Sequence, residues 1–225
     1  MKCNIYFMYN ELLDVNVNDN LNGTICGMMY GFIQCYVYEA NNSEKGHEWK
    51  VSKAGFIKLL YFNQELAKVY GVTMAEVPLL KLKINSEALM ELDAALISQE
   101  TIHEIGAASS PNILLLEHFG ISAEFRKKGL GEKIFKEAIK QMKGRYGYVL
   151  VLNPQPIFPG SVGEKTYALQ GVTLAGLETD PEKAQCKLNE FFQRCGFRPF
   201  KDYHNVFICN VDQLVTSLRL MPAAT

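Results

Sequence analysis

Ile113-Leu114-Leu115-Leu116-Glu117-His118-Phe119-Gly120-Ile121-Ser122-Ala123-Glu124-Phe125-Arg126-Lys127-Lys128-Gly129-Leu130-Gly131 joins an apolar run to a short polar turn and two glycines. The near-continuous apolar character of Asn112 to Ile121 predicts a central strand buried on both faces. After the glycines the pattern changes period. Over residues 129 to 143, Leu130, Ile134, Ala138 and Ile139 fall on one face of a helix, and Lys133, Lys136, Lys140 and Lys143 fall elsewhere. Glycines at a helix start leave backbone amides unobstructed, and those amides together with the positive end of the helix dipole attract phosphate oxygens. The dipole alone is worth roughly 0.3–1 kcal/mol at an exposed site, so binding needs several amides and nearby cations. From Glu124 to Arg145 the chain carries eight bases (Arg126, Lys127, Lys128, Lys133, Lys136, Lys140, Lys143, Arg145) against three acids (Glu124, Glu132, Glu137). Two readings stand at this point: a phosphate cradle, or a glycine-containing turn followed by a solvated lysine-rich face. The stretch is neither a Walker loop nor the Gly-x-Gly-x-x-Gly of a dinucleotide fold.

Working outward, Tyr146 to Leu152 predicts a second buried strand, ended by Asn153-Pro154. Residues 153–180 hold closely spaced Pro and Gly and predict a long loop or insertion, the kind of segment that is usually functional in a compact domain. Asp180-Pro181-Glu182 combines an N-cap, proline at the first helical position and an acid in the first turn. A helix to Cys195 with Gly196 at its stop, then a strand at Asn205 to Cys209, follows. Upstream, residues 23–40 and 48–62 are rich in aromatic and β-branched residues and predict a β-hairpin that joins a larger sheet. A helix is predicted from Ser86 to Ile105, with Gly106 to stop it. No internal repeat and no polar break divides the chain, so residues 1–225 are read as one domain.

The chain has 225 residues, 48% of them hydrophobic, with 23 Lys plus Arg against 24 Asp plus Glu and a formal net charge of -1. A chain of this length buries roughly 70% of the surface its unfolded form exposes and needs no staple to fold. Its hydrophobic content excludes disorder. Balanced charge points away from nucleic acid and from membrane surfaces, toward a small partner or one met by a local patch. The cysteines at 3, 26, 35, 186, 195 and 209 form no Cys-x-x-Cys pair and no zinc spacing, so no metal site is expected. The chain opens without a leader-like stretch, and the thiols are read as reduced and cytoplasmic.

The strand, loop and Arg126-x-x-Gly129-x-Gly131 helix start resemble the core motif of the GNAT superfamily of N-acetyltransferases. A second element, Gln185-x-x-Leu188-x-x-Phe191-Phe192-x-x-x-Gly196-Phe197, is similar to that family's later helix and Gly-Phe turn. The resemblance covers about residues 112–210; residues 1–110 are a divergent N-terminal half. It implies an α/β (α+β) fold with a mixed, mostly antiparallel central sheet flanked by helices. It also implies acetyl-coenzyme A (acetyl-CoA) as co-substrate and transfer of an acetyl group to a primary amine by direct attack. In that picture the amides from Arg126 through Lys127, Lys128, Gly129, Leu130 and Gly131 hold the pyrophosphate. Phe119, Gly120 and Ile121 offer a strand edge to the pantetheine arm, which pairs like an added strand. The strand ending at Leu152 splays away, with Asn153 a polar contact at its end. Gln185 and Phe192 occupy cofactor-facing helix positions, Gln185 where the family has Asn.

Simple alternation puts the Glu117 carboxylate on the same face as Phe119 and Ile121, so Glu117 is the candidate general base and His118 points the other way. Where the family often has a tyrosine that protonates the leaving thiolate, this chain has Phe192; Tyr167 and Tyr203 are the candidate replacements. His47-Glu48-Trp49 near the hairpin turn reads as a surface loop, with the wall of an acceptor pocket as the alternative, and His103 with Glu104 as helix-end residues. Cys186 and Cys195 read as buried small hydrophobes. The acceptor is a small-molecule or peptide amine that the sequence does not identify, and the choice between monomer and homodimer stays open. The rival readings are a catalytically silent acyl-CoA-binding regulatory or interaction protein, and an unrelated α/β protein that binds a phosphate ligand.

Overall fold

A computed structural model describes residues 4–12, 30–42, 49–77, 86–97, 105–126, 129–161, 163–200 and 203–214. Its strands are β1 (Asn4–Leu12), β2 (Tyr30–Asn42), β3 (Trp49–Phe62), β4 (Ile113–Ile121), β5 (Tyr148–Leu152), β6 (Arg198–Phe200) and β7 (Tyr203–Asn210). They form one seven-stranded sheet in the order β1-β2-β3-β4-β5-β7-β6. Every neighbouring pair is antiparallel except β4 and β5, which run parallel. The helices are α1 (Gln64–Tyr70), α2 (Ser86–Ile97), α3 (Leu130–Lys140), α4 (Glu164–Leu169) and α5 (Pro181–Arg194). The mixed, mostly antiparallel sheet flanked by helices expected above is therefore present. Among the described residues no helix is long and apolar enough to cross a membrane.

Period-2 alternation divides the core between the two faces of the sheet. On one face Leu60, Phe62, Ile113, Leu115, Leu150, Leu152 and Ile208 pack with Ala67 of α1 and Ala88, Leu89 and Leu92 of α2. On the other, Ile57, Leu59, Leu114, Leu116, Val149, Val151 and Phe207 meet Phe135, Ala138 and Ile139 of α3 and Phe192 of α5. Strands β4 and β5 are covered on both sides, which explains their unbroken apolar runs. The α3 stripe was legible from its spacing, and Phe135 at its centre is completely buried. Burying a side chain of that size stabilises the fold by roughly 1.5–3 kcal/mol.

The helix signals around Asp180 hold at atomic level. The Asp180 carboxylate accepts from the Glu182 and Lys183 amides, both at 3.0 Å. Helix α5 ends at Arg194, and Gly196 takes a left-handed conformation, φ +88°. Three features depart from the sequence expectations. Asn4–Leu12 is an edge strand that the sequence reading passed over, and Arg198–Phe200 adds a short outer strand. The 153–180 segment is not loop throughout, because it contains α4. Helix α3 stops at Lys140 and β5 begins at Tyr148, both inside the predicted bounds. The expected helix over 86–105 is described to Ile97; residues 98–104, with His103 and Glu104, lie outside the described residues, as do Cys3, Cys26, His47 and Glu48. The burial expected of two cysteines is met at Cys195 and not at the exposed Cys186.

One polar pair sits in the apolar layer between α1, α2 and the sheet. Asp93 of α2 is buried and accepts a hydrogen bond from the Gln64 side-chain amide at 3.0 Å. Burial pushes the Asp93 carboxyl above the usual carboxylate range, helped by nearby Glu76 and opposed by the bonds from Gln64 and the Met74 backbone. A raised folded-state value means that the folded protein holds this proton more tightly than the unfolded chain does. The stability it confers is therefore lost as pH rises from the ordinary Asp range through the raised value. Asp93→Asn is accordingly expected to gain up to about 1 kcal/mol over the parent at pH 7 and nothing at pH 3, read from urea unfolding across that range.

Candidate functional site

The two parallel strands share only three register pairs, Ile113 with Tyr148, Leu114 with Val149 and Leu115 with Leu150. Beyond Leu115, β4 runs on to Ile121 with no strand among the described residues on its β5 side, while β5 stays paired with β7 through Leu152. The strands thus part and leave the gap that the sequence reading anticipated. Local chemistry explains the divergence on both sides. Strand β4 carries a β-bulge: Leu59 pairs with Leu116 and Lys58 with His118, which leaves Glu117 as the extra residue. A bulge bends its strand and strengthens the local twist. Strand β5 ends at Leu152, and the next residue, Asn153, has a left-handed φ of +46°, a conformation that Asn tolerates better than most residues. Pro154, with no amide hydrogen, follows.

The gap opens into a cavity of about 190 Å³. Its walls come from Leu116, Glu117, His118 and Phe119 of β4, from Val151 through Gln155 and Ile157, from Tyr167 of α4, and from Leu188, Phe191 and Phe192 of α5. The bulge corrects the alternation argument for Glu117. Leu114 and Leu116 share the α3 face with Phe119, so the parity of side chains shifts at residue 117, and Glu117, His118 and Phe119 border the same cavity in succession. His118 was expected on the opposite face, away from the chemistry. It lines the cavity and packs edge-on against Tyr167, ring centroids 6.0 Å apart.

The wall also holds residues that the sequence does not mark as site residues, among them Phe191, Leu188, Gln155 and Ile157. Phe191 stacks on Phe119 at 5.4 Å and contacts Phe135, which fixes α5 against both β4 and α3. Leu188 lies one turn before it, and Gln155 donates to the Asn153 side-chain oxygen at 3.1 Å. Ile157 completes the set from the loop after β5. The spacing of Leu188, Phe191 and Phe192 was a readable signal for one helix face; Gln155 and Ile157 had none. Asn153 is in the wall as expected. Gln185 is not: its amide donates to Asn189 within α5, one turn short of the cavity. Phe192 is buried in the wall amid Phe197 and Phe207.

After β4, Ser122 anchors the chain back to β3 by bonds to the Ala54 and Lys53 carbonyls. A single 3-10 turn, Ala123–Phe125, leads toward α3. Gly129 is the N-cap of α3 with φ +70°, and a Cβ added there would meet nothing within 4 Å. Gly131 faces Ile121 and Phe191, each 3.9 Å from where its Cβ would lie. The helix start thus presents open backbone, without a side-chain cap, beside the end of β4.

The basic cluster is divided differently from its sequence count. Lys127 and Lys128 lie outside the described residues. The Arg126 guanidinium donates to the Ile121 carbonyl and the Ala175 carbonyl, both at 2.7 Å, and to the Thr173 carbonyl. It braces the loop. Lys136 pairs with Glu132 at 2.6 Å, Lys140 with Glu137 and Lys143 with Asp212, and Arg145 lies over the Tyr146 ring. Lys133 is exposed on α3.

Of the two tyrosines considered as proton donors, Tyr203 stacks on Phe200 against the other core layer and lies away from the cavity. Tyr167 is in the wall. Its hydroxyl donates to the Phe119 carbonyl at 3.1 Å, and burial pushes the phenol up to about 12 despite that bond. Its ring lies edge-on to Phe56 at 5.3 Å and against Gly120, where a Cβ would come within 2.7 Å of Tyr167 Cε1 and 2.9 Å of Phe56 Cε1.

No family model matches this chain, and no curated protein matches it. One solved structure, the crystal structure of a KacTA–DNA complex, aligns over 95% of this chain and 99% of that chain at 9% identity and a TM-score of 0.39. A likeness at that level fixes neither fold nor function.

The glycine at 120 sets how closely Tyr167 can approach β4. Gly120→Ala is expected to cost about 1–3 kcal/mol, because two rings rather than a flexible chain end would have to move. In a double-mutant cycle with Tyr167→Ala part of that loss should return, measured by denaturant unfolding.

Proposed function

We propose that this chain is an acetyl-CoA-dependent N-acetyltransferase of the GNAT type, transferring an acetyl group to a primary amine. The observation that supports it most is the parallel pair β4 and β5, which separates after Leu115 and Leu150 beside a helix opened by Gly129 and Gly131. A thioester arm needs an unpaired strand edge, a gap for its reactive end and amides for its phosphates, and these three features adjoin here. The amides of Gly129, Leu130 and Gly131 are assigned to the pyrophosphate. Phe119, Gly120 and Ile121 supply the edge, and the Asn153 side chain a polar contact at the gap. Arg126 is assigned to bracing rather than to direct phosphate contact, since its donors already meet three carbonyls.

The chemistry is direct attack of the amine nitrogen on the thioester carbonyl carbon, forming C–N and breaking C–S. The amine must first lose a proton. At pH 7 this costs about 4.6 kcal/mol for a lysine-like amine with pKa near 10.4, but about 1.4 kcal/mol for an α-amine near 8. Glu117, placed in the cavity wall by the bulge, is assigned as the base, directly or through one water. Phe192 has no proton to give the departing thiolate. That observation favours a second reading, an acyl-CoA-binding module without turnover.

Acetyl-CoA is expected to raise the melting temperature, and an amine panel is expected to release coenzyme A thiol. Stabilisation without release on any acceptor would establish the binding module, and no stabilisation by coenzyme A would overturn both readings. Gly129→Trp, with its fold checked by circular dichroism, should abolish binding. Glu117→Gln should keep binding and lower kcat about 100-fold or more on lysine-like amines, with a smaller loss on α-amines. Unchanged kcat would remove Glu117 from the mechanism.

A further inference from the structure

Two carbonyls of the unpaired β4 edge are already taken, and both by bonds that lead to the same segment. Phe119 accepts from the Tyr167 hydroxyl at 3.1 Å, and Ile121 accepts from the Arg126 guanidinium at 2.7 Å. Being two residues apart on a strand, these carbonyls project the same way. Arg126 goes on to hold the Thr173 and Ala175 carbonyls. Tyr167, Val172 and Leu174 pack on Phe56, with Ile157 and Leu177 at the margin. Residues 164–177 therefore lie as a strap, fastened at Tyr167 and at Thr173 to Ala175, with Gly120 hollowed to seat the ring.

We infer that this strap competes with the bound thioester arm: the Tyr167 hydroxyl holds the Phe119 carbonyl that an amide N–H of an extended ligand chain would take, and the strap lifts as that chain pairs with β4. The inference rests on the cofactor reading above. A donor hydroxyl seated against a strand edge mimics a ligand amide, so the site is complementary to a chain that brings its own N–H groups. An equilibrium between strapped and open forms lowers the apparent affinity by the fraction that is open, and removing the tyrosine hydroxyl raises that fraction. The fastening is local. Tyr167→Phe keeps the ring against Gly120 and Phe56 and deletes only the hydrogen bond.

The test is coenzyme A titration of the full chain and of Tyr167→Phe by calorimetry, with hydrogen exchange followed over residues 164–177. The expected result is 3- to 10-fold tighter binding by Tyr167→Phe, and faster exchange of the strap amides in the parent protein when coenzyme A is added. Equal or weaker binding by Tyr167→Phe, or strap amides that become more protected with coenzyme A, would overturn the strap and leave the cofactor reading standing. Absence of binding by both proteins would overturn the two together.

Discussion

The parallel contact between β4 and β5 is the constraint from which the site follows. A pair of adjacent parallel strands ordinarily stays together as long as both have residues to contribute, and here it lasts for three register pairs. Strand β5 could continue to Leu152 and does so against β7, so the separation belongs to the β4 side as much as to β5. The bulge at Glu117 bends β4 where the pairing stops. The same extra residue brings a carboxylate into the wall of the gap. One local irregularity thus coincides with the opening of the gap and puts a carboxylate in its wall, and α3 and α5 fill the space behind it through Phe135, Phe191 and Phe192.

Charge is arranged to be spent within the fold rather than displayed. Glu132 of α3 meets Lys136 on its own helix and Arg194 of α5, so a lysine counted as part of a basic face shares its acid with a bond between the two helices. Lys143 pairs with Asp212, which also receives the Ser109 amide and so fastens the segment before β4 to the residues after β7. Isolated exposed pairs contribute at most about 1 kcal/mol each. Their larger effect is to set the direction of side chains that would otherwise sweep solvent. Among the described residues, the start of α3 presents the backbone of Gly129, Leu130 and Gly131 and the exposed Lys133; amides at a helix start are by themselves a weak attractor of negative charge.

How much of this was legible depends on the distance over which each feature is specified. The strand, loop and helix from Ile113 to Lys140 and the capped start of α5 rest on residues within a few positions of one another, and the sequence carries them plainly. Asn4–Leu12 was passed over because strand character at a sheet edge is decided by the partner, here β2, more than by the strand itself. The bulge was invisible for a related reason: it is a mismatch of register between β3 and β4, and Glu117 read alone looks like any alternating residue. Arg126 binds carbonyls 47 and 49 residues away, which no local pattern announces. The pairing of Lys136, Lys140 and Lys143 was not legible because a count of charges carries no information about which acids stand opposite them.

The distribution of phenylalanine and tyrosine around the gap follows from hydrogen bonding. A buried phenol needs a partner, because an unsatisfied hydroxyl in an apolar setting costs more than the ring contributes by its specific contacts. Position 192 lies among Phe191, Phe197 and Phe207, an aromatic layer whose ring edges and faces satisfy one another. Position 167 lies beside an edge carbonyl that no strand claims, and there the hydroxyl is satisfied at 3.1 Å. The one described tyrosine hydroxyl of the cavity wall thus comes from the segment in front of the gap, and the helix behind it contributes phenylalanine. Burial pushes its phenol up to about 12, so at neutral pH the Tyr167 hydroxyl keeps its proton and donates a hydrogen bond. A neutral donor satisfied by the Phe119 carbonyl suits a role in holding the β4 edge, because giving up that bond inside the wall would leave a buried hydroxyl and a carbonyl unpaired together.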